Sequence, residues 1–183
     1  GTNGKSSVVN FYLQILKFNK KKVASIGTLG IHSGSKKIDV QNTTLDPLQL
    51  SKQLTKLKKK NVNNLMLEAS SHGLKQSRLD GLKFKTGIFT NLSHDHLDYH
   101  KSYKDYLNSK LYLFKKLLNR NSNIITDLNI PEYKKIKSIA LKKKLKLHTI
   151  SNKYGDLSIT SHSYNGEKQL VKIKYKKKTY NFV

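Results

Sequence analysis

The first seven residues, Gly1 to Ser7, read Gly-Thr-Asn-Gly-Lys-Ser-Ser and combine the residue types that bind nucleotide phosphates. In a phosphate-binding loop the glycines let backbone N–H groups close around phosphate oxygens, the lysine reaches the β- and γ-phosphates, and a serine or threonine hydroxyl meets Mg²⁺. Lys5 and Ser6 occupy the last two of these positions. The segment therefore predicts a site for a nucleoside triphosphate with its magnesium ion.

The full loop pattern, G-x-x-x-x-G-K-[ST], places its first glycine two residues before Gly1. The strand that normally leads into such a loop is also missing from the sequence. We therefore expect the chain to be a piece that begins inside its own nucleotide site.

Glu68 is the first candidate partner of this loop, because it follows the apolar run Leu65-Met66-Leu67. A carboxylate at the end of an apolar run is expected to be buried, and a buried carboxylate needs a cation as its partner. Capping of the turn at Ser70 is one interpretation. Next to a phosphate-binding loop we favour magnesium ligation, since Mg²⁺ prefers one or two carboxylates together with substrate phosphates.

The segment from Thr90 to His100 holds three histidines and two aspartates. Spacing alone would also suit a zinc site, and polar packing within a loop is the commonest role of such residues. Because the same site has to serve a triphosphate, we favour a magnesium role for one of the histidines.

The order of elements predicts an α/β fold in which a mainly parallel, P-loop-type sheet is flanked by helices. Helices are predicted over residues 5–19, 47–60, 103–118 and 131–144, and strands over residues 23–28, 64–69, 85–90, 123–126 and 145–150. After residue 156 two period-two runs flank Asn165-Gly166, which predicts a small antiparallel appendage at the C-terminal end. The carboxyl ends of parallel strands meet at one edge of a sheet, where a ligand binds. The loop at Gly1, the group after Glu68 and the segment before His100 are all expected at that edge.

Composition restricts the function classes. The chain has 183 residues, a net charge of +25 and no cysteine, which excludes disulfides and thiolate metal sites. Its charge is nearly all lysine, with Arg78 and Arg120 as the only arginines. Because nucleic-acid recognition favours arginine, we interpret the lysines as solvated surface and expect no nucleic-acid partner. No stretch of the sequence approaches the roughly 20 apolar residues of a membrane span, so no membrane partner is expected either. A cytoplasmic, monomeric protein with one compact domain is expected.

Four segments in this order resemble the successive motifs of the Mur ligase family. They are Gly1 to Ser7, Asn42-Thr43-Thr44, Leu67 to Leu74 with Gln76 and Arg78, and Phe89 to His100. The similarity is strong from Gly1 to about Leu113, and later residues follow the family only in pattern. Among family members the motifs most resemble those that add the third amino acid of the peptidoglycan precursor.

The resemblance implies roles residue by residue. Residues that would bind ATP are Gly1, Thr2, Asn3, Gly4, Lys5, Ser6 and Ser7. Magnesium ligands would be Ser6, Glu68, His96 and Lys110, the last as a carbamate. Catalytic residues would be Lys5, Glu68, His96 and Lys110. Substrate contacts would be Asn42, Thr43, Thr44, Ser70, Gln76 and Arg78.

The implied activity is ATP- and Mg²⁺-dependent amide ligation. The substrates would be UDP-N-acetylmuramoyl-L-alanyl-D-glutamate, the UDP-muramoyl dipeptide, and an amino acid, diaminopimelate or lysine, joined through an acyl phosphate. Residues 1–183 would be the central ATP-binding domain, truncated at both ends, without the N-terminal UDP-binding and C-terminal amino-acid-binding domains. Such a piece is expected to be inactive alone. The alternatives are another Mur-type ligase, folylpolyglutamate synthetase, or a basic P-loop module that binds ATP and nucleic acid.

Overall fold

The computed structural model describes residues 3–93 and 98–183. The chain separates into two compact units, one within Gly1–Leu82 and Ser93–Leu113 and the other within Lys83–Leu92 and Phe114–Val183. Each unit has its own sheet and its own buried apolar side chains. No described helix has the length and apolar character needed to cross a membrane.

The described residues of the first unit form four helices, α1 (Lys5–Phe18), α2 (Pro47–Lys59), α3 (Ser71–Lys75) and α4 (Tyr103–Tyr112). Three of them begin at a side-chain cap. The carboxylate of Asp46 accepts a hydrogen bond from Gln49 N in α2, and the hydroxyls of Ser70 and Ser102 do the same at α3 and α4. Such caps satisfy N–H groups that have no partner inside the helix. The helix start predicted at Asp46-Pro47 is confirmed.

The sheet of the first unit contains β1 (Val23–Gly27), β2 (Gly30–Ser33), β3 (Lys36–Ile38) and β4 (Asn64–Leu67) in the order β3-β2-β1-β4. β1 pairs with β4 in parallel, whereas the β1–β2 and β2–β3 pairs are antiparallel. All five residues of β1 are buried, as expected for a strand covered on both faces. The parallel pair aligns the carboxyl ends of β1 and β4, where Thr28 and Glu68 follow.

The sheet of the second unit has the order β10-β9-β8-β7-β6-β5. Its strands are β5 (Phe84–Phe89), β6 (Leu118–Asp127), β7 (Lys146–Ser151), β8 (Leu157–Asn165), β9 (Lys168–Tyr175) and β10 (Lys178–Phe182), and its helix is α5 (Tyr133–Lys143). Neighbouring strands from β5 to β8 are parallel, and those from β8 to β10 are antiparallel. The predicted α/β class and its antiparallel C-terminal strands are confirmed.

Two local predictions are wrong. The helix predicted to reach residue 118 ends at Tyr112, and a π-helical turn over Leu113–Leu117 leads directly into β6. Phe114, Leu117 and Leu118 are all buried, so apolar spacing continues through this turn and periodicity alone cannot locate the boundary. β6 therefore begins five residues earlier than predicted.

The hairpin between β8 and β9 also differs by one residue from its predicted position. Asn165 pairs with Lys168, so the two-residue turn is Gly166-Glu167 rather than Asn165-Gly166. Gly166 has φ +59°, a conformation that costs glycine little because it lacks a Cβ. The antiparallel hairpin itself is confirmed. The strands β2, β3 and β10 and the short helix α3 were not predicted.

Candidate functional site

The described part of the phosphate-binding loop leads into α1. Gly4 is the N-cap residue with φ +83° in the left-handed region, and Val8 N donates to its carbonyl at 2.9 Å. Lys5 and Ser6 are the first two residues of the helix. Unpaired N–H groups and the helix dipole make a helix N-terminus favourable for an anion. Asn3 and Ser7 are exposed, whereas the predicted phosphate contacts of Gly1 and Thr2 lie outside the described residues.

Glu68 lies directly after β4 and is buried, with a relative exposure of 3%. Its N–H donates to the carbonyl of Ile26 at 2.9 Å, which extends the pairing with β1. Its carboxylate accepts three hydrogen bonds. Ser6 Oγ donates to Oε2 at 3.0 Å, Thr28 N donates to Oε1 at 2.9 Å, and Thr28 Oγ1 donates to Oε2 at 3.2 Å. The carboxylate therefore meets the start of α1 at a fixed position.

This group of atoms fits a hard divalent cation. The hydroxyls of Ser6 and Thr28 and the carboxylate of Glu68 are oxygen donors within hydrogen-bond distance of one another, and Mg²⁺ prefers oxygen ligands with one or two carboxylates. Within residues 3–93 and 98–183, no three His, Cys, Asp or Glu side chains form a metal-binding group. The oxygen set is therefore typical of a cation that also binds substrate phosphates rather than of an all-protein cage.

Two lysines approach the same site. Lys5 is half-buried, and burial lowers its pKa, an effect that the nearby Glu68 charge partly opposes. Lys110 in α4 is buried, with a relative exposure of 7%. Burial, with a smaller contribution from the Lys5 charge, lowers the pKa of Lys110 to about 7. Its Nζ lies 5.0 Å from the centre of the Tyr106 ring.

The lysines and the predicted substrate residues surround one cavity of about 320 Å³ within the first unit. Its lining residues are Lys5, Thr28, Gln41, Asn42, Thr43, Thr44, Ser70, Ser71, His72, Gln76, Arg78, Tyr106 and Lys110. All six substrate contacts expected from the sequence are in this set. The lining carries four cationic or potentially cationic side chains, which suits an anionic ligand.

Thr44 and Ser70 connect the Asn42 loop to the residues after β4. Thr44 is buried, and its hydroxyl accepts from Ser70 N at 2.9 Å and donates to the Glu68 carbonyl at 2.9 Å. Ser70 Oγ accepts from Gly73 N at 3.0 Å as the cap of α3. Both hydroxyls are thus engaged within the protein, and their observed role is to hold the wall of the cavity in place.

Arg78 and Gln76 extend this wall. Arg78 Nη1 donates to the Thr44 carbonyl at 2.7 Å and Arg78 Nε donates to Gln76 Oε1 at 2.8 Å. Gln76 Nε2 in turn donates to the Tyr99 hydroxyl at 3.1 Å. The guanidinium is therefore oriented by two protein acceptors beside the cavity, an arrangement suited to binding a substrate carboxylate.

The histidine-rich segment is described only in part. His96, the predicted magnesium ligand, lies outside the described residues. His100 is buried against the Tyr106 ring, with ring centres 4.8 Å apart, and its Nδ1 lies 3.6 Å from Asp105 Oδ2. Burial is the main cause that lowers the pKa of His100, and the Lys75 charge lowers it further. His100 thus packs under α4, as the interpretation of polar loop packing expects.

Sequence reasoning missed Thr28, Gln41, Ser71, His72 and Tyr106 as residues of this cavity. Thr28 follows a fully buried strand, so the rule that ligands bind beyond the carboxyl ends of strands points to it. Tyr106 carries no comparable signal, because an aromatic residue at helical spacing is typical of a core position. The i, i+4 spacing within α4 brings its ring beside Lys110, and only the packing of α4 places both in the wall of the cavity.

Comparison with known proteins extends these observations. The family described as "Mur ligase middle domain" matches residues 1–182. A UDP-N-acetylmuramoyl-L-alanyl-D-glutamate--2,6-diaminopimelate ligase of Rickettsia bellii (strain RML369-C) is 39% identical over 188 residues, covering 100% of this chain and 39% of the relative.

Two solved structures are also similar. One is a UDP-N-acetylmuramoyl-L-alanyl-D-glutamate--2,6-diaminopimelate ligase with a TM-score of 0.86 and 27% identity, covering 99% of this chain and 37% of that chain. The other is a MurF ligase from Thermotoga maritima in complex with ADP, with a TM-score of 0.66 and 12% identity, covering 99% of this chain and 38% of that chain; at this identity it supports the fold alone. The chain thus spans about two fifths of the length of these relatives. Because the family match extends from residue 1 to residue 182, the chain belongs to the Mur ligase family, in its middle domain.

Proposed function

We propose that this chain is the ATP-binding part of a ligase that joins 2,6-diaminopimelate to UDP-N-acetylmuramoyl-L-alanyl-D-glutamate. The observation that carries the proposal is one cavity lined by Lys5, Lys110 and all six predicted substrate residues, with the Ser6–Glu68 hydrogen bond beside it. The relatives named for this reaction support the choice of substrates. A phosphate site and a carboxylate site next to each other are what ATP-dependent amide formation requires.

In the proposed reaction the γ-phosphoryl group of ATP moves to the terminal carboxylate of the dipeptide. The acyl phosphate then reacts with the amine of diaminopimelate, forming the amide and releasing phosphate. Phosphoryl transfer depends mainly on positioning and on charge stabilisation. We assign that role to Lys5 and to the N–H groups at the start of α1.

Ser6 and Glu68, with His96, would hold Mg²⁺ in this site. When bound, the ion neutralises charge on the β- and γ-phosphates. Glu68 is already fixed by three hydrogen bonds, so little reorganisation of the carboxylate is needed. Asn42, Thr43, Gln76 and Arg78 would contact the dipeptide, with Arg78 beside a substrate carboxylate.

Lys110 is proposed to act as a carbamate. A lysine with a pKa of about 7 has a large fraction of neutral amine at neutral pH, and only the neutral amine attacks CO₂. The reaction forms an N–C bond and releases one proton, so that an anionic oxygen group replaces an ammonium. That exchange removes the repulsion between Lys110 and Lys5 and adds an oxygen donor to the site.

The test uses the full-length protein with ATP, Mg²⁺, the UDP-muramoyl dipeptide and diaminopimelate, and measures amide product and released phosphate. Lys5→Met is expected to lower kcat/KM at least about a hundredfold, a typical loss for an electrostatic group in a catalytic site. Lys17→Met is the matched control, because Lys17 lies in the last turn of the same helix and is exposed. Near-normal turnover by the Lys5 variant, or ligation of a folate substrate in place of the dipeptide, would contradict the proposal.

A further inference from the structure

Thr28 is an exposed residue at the end of β1 whose polar atoms are nevertheless engaged on two sides. Its N–H donates to Glu68 Oε1 at 2.9 Å, and its hydroxyl lies 3.2 Å from Glu68 Oε2. The same hydroxyl lies 3.0 Å from Thr43 Oγ1. Thr28 thus connects the candidate cation carboxylate to a residue of the candidate substrate loop.

The direction of these hydrogen bonds follows from the number of protons. A threonine hydroxyl has one proton to donate, and an ionised carboxylate can only accept. When Thr28 donates to Glu68, the bond between the two threonines must be donated by Thr43. The Thr43 proton is then directed at Thr28 and is not available to a ligand in the cavity that both residues line.

The position of Thr43 is fixed by its neighbour. Thr44 is buried, its hydroxyl bonds to Ser70 and Glu68, and its carbonyl accepts from Arg78. The loop therefore holds Thr43 Oγ1 near Thr28, and rotation of two hydroxyl groups is enough to reverse the bond between them.

We propose that Thr28 is a positioning residue that couples the Glu68 carboxylate to the Thr43 hydroxyl. This inference rests on the proposed function. When Oε2 of Glu68 is engaged by a divalent cation, the Thr28 proton is free to turn toward Thr43. Thr43 can then donate its own proton to an oxygen of the UDP-muramoyl dipeptide. Cation and dipeptide therefore bind cooperatively, and each raises the affinity of the site for the other.

The test is calorimetric binding of the UDP-muramoyl dipeptide to the full-length protein without diaminopimelate, so that no amide forms. Affinity is measured once with EDTA and once with Mg²⁺ and a non-hydrolysable ATP analogue. For the wild type we expect the second condition to raise the dipeptide affinity by about tenfold, within the usual range of coupling between sites. Thr28→Val, which keeps the N–H and the side-chain shape, is expected to reduce this ratio to about twofold or less.

Thr28→Ser keeps the hydroxyl and is expected to retain the ratio, and Thr55→Val is the matched control on the exposed surface of α2. Thermal unfolding of each variant checks that the fold is intact. A wild-type ratio in Thr28→Val, or an equal loss in Thr28→Ser, overturns the coupling while leaving the proposed ligase function in place. A wild type that binds neither the dipeptide nor the nucleotide overturns both.

Discussion

Gly27 leaves the space that the Glu68 side chain occupies. A Cβ atom built on Gly27 would overlap Oε1, Cδ and Cγ of Glu68. The two residues lie at the ends of the paired strands β1 and β4, so neither backbone can move without disturbing the sheet. The position of the Glu68 carboxylate thus depends on the absence of a side chain at Gly27, in the neighbouring strand.

Gly27→Ala is expected to displace the Glu68 carboxylate and to destabilise the first unit by about 1 to 3 kcal/mol, the usual cost of overpacking. Urea unfolding measures the loss of stability, and the affinity for Mg²⁺ with ATP measures the displaced carboxylate. The control is the double variant Gly27→Ala with Glu68→Ala, in which the space is vacated again. If Gly27→Ala costs as much stability in the Glu68→Ala background as in the wild type, steric overlap is not the cause.

The sequence allows the prediction of the elements that carry a local signal. Asp46-Pro47 marks the start of α2, and Lys5 and Ser6 fall at the start of α1, because capping and loop chemistry are encoded in adjacent residues. The Ser6–Glu68 hydrogen bond joins residues that are 62 positions apart. The sequence predicts only that the two residues lie at the same edge of the sheet. The end of α4 at Tyr112 was not predictable, because the same apolar spacing fits a helix, a π-helical turn and a buried strand.

The burial of Lys110 is another property that the sequence does not predict. In the sequence it is one lysine among many, and only the resemblance to a family distinguishes it. In the structure its burial and its pKa of about 7 set it apart. The burial of a particular lysine is a tertiary property, which neither composition nor periodicity carries.

Lys110→Met is expected to increase the free energy of unfolding at neutral pH by about 1 to 3 kcal/mol, because it removes the free-energy cost of burying an ammonium group. The folded-state pKa of about 7 lies below the ordinary value of 10.5, so the unfolded state binds more protons between these limits. The unfolding free energy of the wild type should therefore rise as the pH increases from about 7 toward 10.5. It should fall again as the pH decreases through this range, because the unfolded state takes up a proton at Lys110. Unfolding in bicarbonate-free buffer across this window measures the effect.

Lys104→Met is the matched control for Lys110→Met, since Lys104 is an exposed lysine of the same helix. It should leave both the slope and the stability nearly unchanged. The Lys110 variant should have a smaller slope between pH 7 and pH 10.5 and should also lose ligase activity in the full-length protein. An unchanged slope in Lys110→Met would mean that the amine of Lys110 is not the titrating group.

His100 should contribute to instability at acidic pH. Burial, followed by the Lys75 charge, lowers its pKa below the ordinary value of 6.5, although Asp105 acts in the opposite direction. The folded state therefore keeps the ring neutral while the unfolded state takes up a proton, and stability falls as pH decreases below about 6.5. The pKa of Asp105 is itself lowered, mainly by its hydrogen bond from Lys75, so its contribution is lost only at pH values below its ordinary 3.8.

His100→Phe keeps a ring against Tyr106 and removes the titrating group. It is expected to change stability at pH 8 by less than about 1.5 kcal/mol, as a shape-conserving core substitution does, and to flatten the loss of stability between pH 6.5 and pH 5. Urea unfolding at pH 8, 6.5 and 5 measures both effects, with His162→Phe as a control at an exposed histidine. Equal slopes in the wild type and in His100→Phe would show that another group controls acid stability, and the buried ring would then be a packing element alone.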